Sequence, residues 1–208
     1  MGQKIVFATG NAGKMREIRE ILGDMDMEVL SMKEVGIEAD IVEDGTTFEE
    51  NAVIKAKAVA RMLEDCVEIA RDGVIVLADD SGLEIDALNK EPGIFSARYL
   101  GEDTPYSVKS GNLIRRLEGV PDDKRTARFV CTIAAVMPTG EVITTRGVIE
   151  GRIGYEEEGD NGFGYDPIFY VPEYGCTTAQ LTEEQKNRIS HRGKALEAMK
   201  GELRKRIP

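Results

Sequence analysis

Asp79 and Asp80 stand side by side where the uniformly apolar run Val74-Ile75-Val76-Leu77-Ala78 gives way to Ser81-Gly82. Such a run marks a strand buried on both faces, and carboxylates at the C-terminal end of a central strand lie where open α/β sheets bind ligands. Two adjacent aspartates repel unless positive charge sits beside them. On consecutive extended positions they point to opposite faces, so they are expected to do different jobs. One can hold a divalent cation while it orients or deprotonates a water molecule. The plainer alternative is a polar loop with Asp-Ser-Gly turn chemistry, against which stands the cost of burying idle carboxylates.

Thr9-Gly10-Asn11-Ala12-Gly13-Lys14 offers complementary chemistry. A strand stops, glycines let the backbone approach a ligand, and a helix N-terminus follows with Lys14 in its first turn. Backbone N–H groups, helix dipole and one ammonium make a phosphate cradle. The glycine spacing is not that of a Walker A loop, and an asparagine N-cap followed by a surface lysine has the same letters. Glu43-Asp44 reads as a solvated acidic loop by itself and becomes a second carboxylate source if a metal sits at Asp80. In Gly162-Phe163-Gly164-Tyr165-Asp166, glycines flank an aromatic that can press against a base while the backbone addresses the base edge; a tight turn with an inward ring is the alternative. Lys186 and Ser190-His191-Arg192 complete the set.

These groups need elements to place them. Residues 4–8 read as a buried strand, 12–22 as a helix with Met15, Ile18, Ile21 and Leu22 to one side and Gly23 at its end, and 27–30 as a short strand. Residues 37–47 are acidic and irregular. Thr47 and Glu50 have capping-box spacing, opening a helix that extends toward Ala70. The strand before Asp79 is expected to stop there, with a separate short strand over 83–88. Thr104 as N-cap and Pro105 at the first helical position start a helix running to Glu118. Residues 128–136 and 141–149 form a hairpin about a turn at 137–140. One continuous helix from Thr182 to Lys205 would turn Lys186, His191 and Arg192 to about 0°, 140° and 240° around its axis. A break at Ser190, a good N-cap, avoids this and sets His191 and Arg192 at a fresh helix start.

The bulk properties narrow the chemistry. The 208 residues carry a net charge of −11, from 38 acidic and 27 basic side chains. No dense basic stretch exists except Arg204-Lys205-Arg206, which suits a helix C-terminus, so nucleic acid is not an expected partner. No apolar run approaches the roughly 20 residues that span a bilayer, and no signal segment is read at the N-terminus; the expectation is a soluble, cytoplasmic chain with no membrane partner. Three scattered cysteines, Cys66, Cys131 and Cys176, are expected as reduced thiols. A single histidine excludes a multi-imidazole metal site, which leaves oxygen ligands and hence Mg²⁺ or Mn²⁺.

Six blocks now fall in one order: FATGNAGK at 7–14, EDGTTFEENAVIKA at 43–56, ADDSGLEIDAL at 78–88, PGIFSARY at 92–99, GFGYDPIF at 162–169 and KNRISHRGKAL at 186–196. Together they resemble the inosine/xanthosine triphosphate pyrophosphatase family. The resemblance implies an α/β fold, an elongated mixed sheet flanked by helices in a single domain over 1–208 whose two lobes enclose a central cleft. It implies hydrolysis of ITP, dITP and XTP to the monophosphate and pyrophosphate, with Mg²⁺, by a homodimer. Carried over by position, Thr9, Gly10, Asn11, Ala12, Gly13 and Lys14 would bind the triphosphate. Glu43 would match the metal carboxylate, with Asp44 beside it. Asp80 would be proton acceptor and metal ligand with Asp79 as its neighbour, and Lys14 would share in catalysis. Ser81 would touch substrate. Phe163, Gly164, Tyr165 and Asp166 would hold the base, and Lys186, His191 and Arg192 would contact base and phosphates. A non-catalytic purine-nucleotide sensor is the rival; it would keep Lys14 and the Phe163 loop but have no need of Asp80 or Glu43.

Overall fold

The computed structural model describes residues 3–64 and 73–207. Among the described residues, seven strands form one mixed sheet in the order β2-β1-β3-β4-β5-β6-β7. The strands are β1 (Lys4–Phe7), β2 (Glu28–Ser31), β3 (Ile75–Ile85), β4 (Thr126–Val136), β5 (Val142–Ile153), β6 (Phe169–Val171) and β7 (Cys176–Thr177). β1 pairs in parallel with β2 and β3, whereas β5–β6 and β6–β7 are antiparallel. Among the described residues the α-helices are α1 (Ala12–Leu22), α2 (Phe48–Glu64), α3 (Tyr106–Arg116), α4 (Glu183–Ile189) and α5 (His191–Arg204). None is long and apolar enough to cross a membrane.

The chain packs as two compact units: Met1–Asp80, Cys131–Gly147 and Gly193–Pro208 form the first, and Ser81–Val130 with Val148–Arg192 the second. In the first unit the strands are covered on both faces. Ile5, Phe7, Ile75 and Leu77 pack with Met15, Ile18 and Leu22 of α1 and with Leu196, Met199 and Leu203 of α5. The alternate residues Val6, Val76 and Ala78 pack with Ala52, Ala56 and Val59 of α2. Period-two strands between two helical layers explain why residues 74–78 are apolar without interruption. The second unit has its own core, in which Leu83, Ile85, Phe129, Ile153 and Phe169 meet Leu113 of α3 and Leu117 just after it.

Several sequence expectations hold. α1 spans the expected residues, and Asn11 caps it by accepting from the Lys14 backbone N–H at 3.1 Å. The expected hairpin links neighbouring β4 and β5, its turn closed by the Met137 N–H donating to the Glu141 carbonyl at 2.9 Å. Arg204 pairs with Asp24, and Arg206 with Glu141 and Glu202. Helix α4 stops at Ile189, and Ser190 is extended (φ −65°, ψ 155°) before α5 begins at His191.

Others are corrected. β3 does not stop at Asp79 but runs through Asp79-Asp80-Ser81-Gly82 to Ile85, so the separate strand expected over 83–88 is its continuation. The N-cap of α3 is Pro105, not Thr104, whose hydroxyl donates to the Leu100 carbonyl instead, and the helix ends at Arg116 rather than Glu118. Only half of the Thr47–Glu50 capping box forms: Thr47 Oγ1 accepts from the Glu50 N–H, but the Glu50 carboxylate turns to the N–H and hydroxyl of Thr46. β2 is shifted one residue toward the C-terminus, β6 and β7 were not foreseen, and the expected extension of α2 toward Ala70 lies outside the described residues, as does Cys66. Cys131 is buried and Cys176 partly buried, neither in a disulfide.

Candidate active site

The first unit gathers Lys14, Glu43, Asn51, Lys55, Asp79 and Asp80. Alternation along β3 sends the two aspartates opposite ways. Asp79 follows Ile75 and Leu77 onto the α1 face, where Lys14 Nζ, in the first turn of α1, donates to both carboxylate oxygens at 3.0 and 2.9 Å. Asp80 follows Val76 and Ala78 onto the α2 face, where Asn51 Nδ2 donates to Oδ2 at 3.1 Å. One turn along the same helix, Lys55 Nζ donates to the Asp79 carbonyl at 3.0 Å and pairs with Glu43 at 2.9 Å. Asn51 and Lys55 are four residues apart, so α2 presents both to the strand.

Burial dominates the electrostatics of Asp80. Loss of solvent raises its pKa to about 6; Lys55 and the Asn51 hydrogen bond pull it down, while Glu43 and Asp79 push it up again. Burial also works against the Lys55 ammonium, but Asp79, Glu43 and Asp80 together outweigh it and hold its pKa above the ordinary lysine value. The result is a buried carboxylate that is ionised yet basic enough at neutral pH to accept a proton.

The second unit gathers the other candidates. Gly162 and Gly164 adopt φ of +79° and +70°, so the loop between them curls and leaves the Phe163 ring partly exposed. A side chain at Gly162 would also collide with Asp166 and Lys186. Asp166 is buried and organises the loop: Oδ2 accepts from the Phe163 N–H at 2.8 Å and from Lys186 Nζ at 2.9 Å, and Oδ1 accepts from the Thr178 hydroxyl at 2.8 Å. Lys186 Nζ lies 4.9 Å and Arg192 Cζ 5.4 Å from the centre of the Phe163 ring, giving an aromatic face bordered by two cations. His191 stacks on Phe129 with centroids 4.9 Å apart and planes inclined by 16°. Tyr165 donates its hydroxyl to the Ser96 carbonyl at 2.8 Å and meets the Tyr106 ring edge-on, so its side chain braces the loop from inside.

Residues 5–202 match the Ham1 family. The chain belongs to the Ham1 family. It is 47% identical over 202 residues to the dITP/XTP pyrophosphatase of Clostridium perfringens, covering 97% of this chain and 98% of that protein. It is 48% identical over 193 residues to the dITP/XTP pyrophosphatase of Desulforamulus reducens, covering 93% and 92%. The solved Ham1 protein of Staphylococcus aureus has a TM-score of 0.84 at 41% identity, covering 98% of this chain and 99% of that one. The mixed α/β sheet expected from the sequence is the Ham1 fold.

Within this Ham1 chain the expected residues fall into two sets. Thr9 to Lys14, Glu43 and Asp80 belong to the first unit, and Ser81, Phe163 to Asp166, Lys186, His191 and Arg192 to the second. Asn51, Lys55 and Thr178 went unremarked in the sequence. Asn51 and Lys55 could have been found from one signal: polar residues four apart on the face of α2 that otherwise carries Ala52, Ala56 and Val59 inward. Thr178 carries none, because nothing in its neighbours foretells Asp166 as partner.

Among the described residues no three His, Cys, Asp or Glu side chains form a ready-made metal cage. The donor set instead suits a hard cation that takes one or two protein carboxylates and completes its shell with water and substrate phosphate, the habit of Mg²⁺. A buried Asp80 with its pKa raised beside Glu43 and Asp79 is a site whose charge such a cation would relieve.

Proposed function

We propose that this chain hydrolyses dITP, ITP and XTP to the corresponding monophosphate and pyrophosphate, in the presence of Mg²⁺. The observation that carries the proposal is the placement of Asp80: buried on the α2 face of β3, bonded to Asn51, and raised to about 6 by its surroundings. The names of relatives matched along nearly the whole chain support the choice of substrate.

In the proposed reaction Asp80 takes a proton from water, the water oxygen bonds to the α-phosphorus, and the bond from that phosphorus to the α–β bridging oxygen breaks. Pyrophosphate leaves with the electron pair. Asp80 and Glu43 would hold a divalent cation, which would supply charge neutralisation on the phosphates. Lys14 is held at the opening of α1 by Asp79 and, with the loop Thr9 to Gly13 at the helix N-terminus, provides the phosphate cradle. Phe163 stacks on the base, with Lys186, His191 and Arg192 beside it, Tyr165 and Asp166 holding the loop, and Ser81 touching substrate. Hypoxanthine and xanthine carry a 6-oxo acceptor, whereas adenine carries a 6-amino donor that would leave a donor of the site unpaired.

A single functional domain over residues 1–208, a cytoplasmic location and a homodimer belong to the same proposal. Phe95, Leu100, Tyr106 and Val108 in the second unit are large exposed apolar residues, the kind of surface a second copy covers.

One assay tests the activity: wild type and Asp80→Asn with dITP, XTP, GTP and ATP plus Mg²⁺, read for pyrophosphate against orthophosphate. Pyrophosphate from dITP and XTP, with turnover in Asp80→Asn reduced by a factor of about 10² or more, is expected. Orthophosphate as first product, or undiminished turnover in the variant, overturns it.

A further inference from the structure

Asn51 is fully buried, and its amide is used at both ends. Oδ1 accepts from the Gly45 N–H at 2.9 Å, and Nδ2 donates to Asp80 Oδ2 at 3.1 Å. The first bond decides the second. With the oxygen committed to an N–H donor, the nitrogen is the atom left for Asp80, so the amide cannot be turned over without placing two donors or two acceptors face to face. Gly45 belongs to the loop that carries Glu43 two residues earlier, so one side chain ties that loop and Asp80 to a single frame on α2.

Gly45 shows how closely this is built. Its φ lies outside the left-handed region, so its backbone does not require glycine. Its neighbours do: a Cβ there would stand 2.7 Å from Asn51 Oδ1, 2.7 Å from Glu50 Cβ and 3.0 Å from the Asn51 backbone nitrogen. The first two are nearer than real Cβ contacts and the third is tighter than most, and two of the three belong to the backbone or first carbon of α2. The loop is glycine at this point so that it can reach the Asn51 amide.

We propose that Asn51 is a positioning residue for the activity proposed above, orienting the Asp80 carboxylate and registering the Glu43 loop against it through Gly45. Its amide is engaged by Gly45 and Asp80. Its contribution is to keep Asp80 in one rotation, so that the oxygen which takes the proton stays aligned with the reacting phosphorus. Loss of that alignment reduces turnover without weakening capture of the triphosphate.

Two variants reach the amide from opposite sides. Asn51→Leu keeps the volume and removes both bonds; Gly45→Ala leaves Asn51 in place and pushes on its oxygen. Glu50→Gln is the control, since Glu50 fastens the same loop through Thr46 and does not touch Asp80. In steady-state assays with XTP, both variants are expected to lose roughly tenfold to a hundredfold in kcat with KM within threefold, while Glu50→Gln keeps kcat within threefold. Melting curves without nucleotide, with and without MgCl₂, give a second readout: the Mg²⁺-dependent rise in Tm should fall by half or more in both variants and persist in Glu50→Gln. The inference is overturned if both variants keep kcat and the Mg²⁺ response, or if Glu50→Gln loses them equally, which would make the effect one of general loop order. If wild type releases no pyrophosphate from XTP, the proposed activity fails, and the Mg²⁺ melting curves still decide the role of Asn51.

Discussion

Asp79 and Asp80 are consecutive in sequence and face opposite sides of the sheet. Asp79 is gripped by Lys14 from α1, and Asp80 is bonded by Asn51 from α2. Two carboxylates that would repel in a loop are separated by the pleat of β3, and each meets a partner supplied by a different helical layer. The separation lets one be a fixed structural anion while the other remains a proton acceptor.

The Lys14–Asp79 pair should show its anchoring role in stability. The Asp79 side chain is 1% exposed and that of Lys14 20%. Removing only the cation leaves a buried carboxylate without its principal partner, so Lys14→Met should cost about 3 kcal/mol. The double variant Lys14→Met/Asp79→Leu should regain part of that loss, because no charge is then stranded. Urea unfolding of both proteins checks this; a double variant less stable than Lys14→Met contradicts it.

Asp80 should make the metal-free protein less stable as pH rises through the mildly acidic range. Its folded-state pKa of about 6 lies above the ordinary 3.8. The folded state therefore binds the proton more tightly than the unfolded state does. Its stabilising contribution is complete below pH 4 and is lost as pH rises through 6, by up to about 3 kcal/mol. Unfolding in chelator at pH 4.5 and 7.5 should show this trend, and Asp80→Asn should reduce the difference. MgCl₂ should restore wild-type stability at pH 7.5 and have little effect on Asp80→Asn.

Much of this arrangement is legible in the letters, for identifiable reasons. Helix α1 declares itself because Met15, Ile18 and Leu22 recur at helical spacing behind an asparagine cap. The break at Ser190 is legible because an unbroken helix would scatter Lys186, His191 and Arg192. The length of β3 is not. Asp79-Asp80-Ser81-Gly82 has the composition of a turn, and only partners distant in sequence, Lys14 and Asn51, let a strand keep two carboxylates in its middle. Thr104 misleads in the same way: it is an excellent cap by type, but its hydroxyl is taken by the Leu100 carbonyl. β6 and β7, three and two residues long, are too short to show any period.

Phe163 should govern capture of substrate more than its turnover. Its ring is held near Lys186 and Arg192 by a loop anchored on Asp166. Stacking of a base on an aromatic ring contributes about 1–3 kcal/mol. Phe163→Ala should therefore raise KM for XTP and dITP by roughly tenfold or more, with kcat within threefold, and Phe163→Tyr should restore most of the loss. Steady-state kinetics of the pair decide it; a fall in kcat at unchanged KM contradicts the stacking role.

Arg125 should carry stability without chemistry. Its guanidinium is buried in the second unit and donates to three main-chain carbonyls: Ile153 at 2.9 Å, Leu117 at 2.9 Å and Gly154 at 2.7 Å. It therefore pins the turn after α3 to the end of β5, with the ring of Tyr155 4.3 Å away on the outer side. Burial lowers the pKa of Arg125, with Tyr155 and Asp122 opposing the shift. The charge persists because arginine starts so high. Arg125→Met fills similar space but removes all three bonds, and the Leu117 carbonyl keeps a second donor, the Val120 N–H at 3.1 Å, for a loss of about 3 kcal/mol or more. Arg125→Lys should recover only a fraction, since one ammonium cannot reproduce the planar fork that meets three acceptors. Neither change touches the proposed site, so turnover per folded molecule should match wild type. Denaturation with urea and kinetics well below the melting temperature separate the two effects, and a fall in kcat without a fall in stability would contradict a purely structural role.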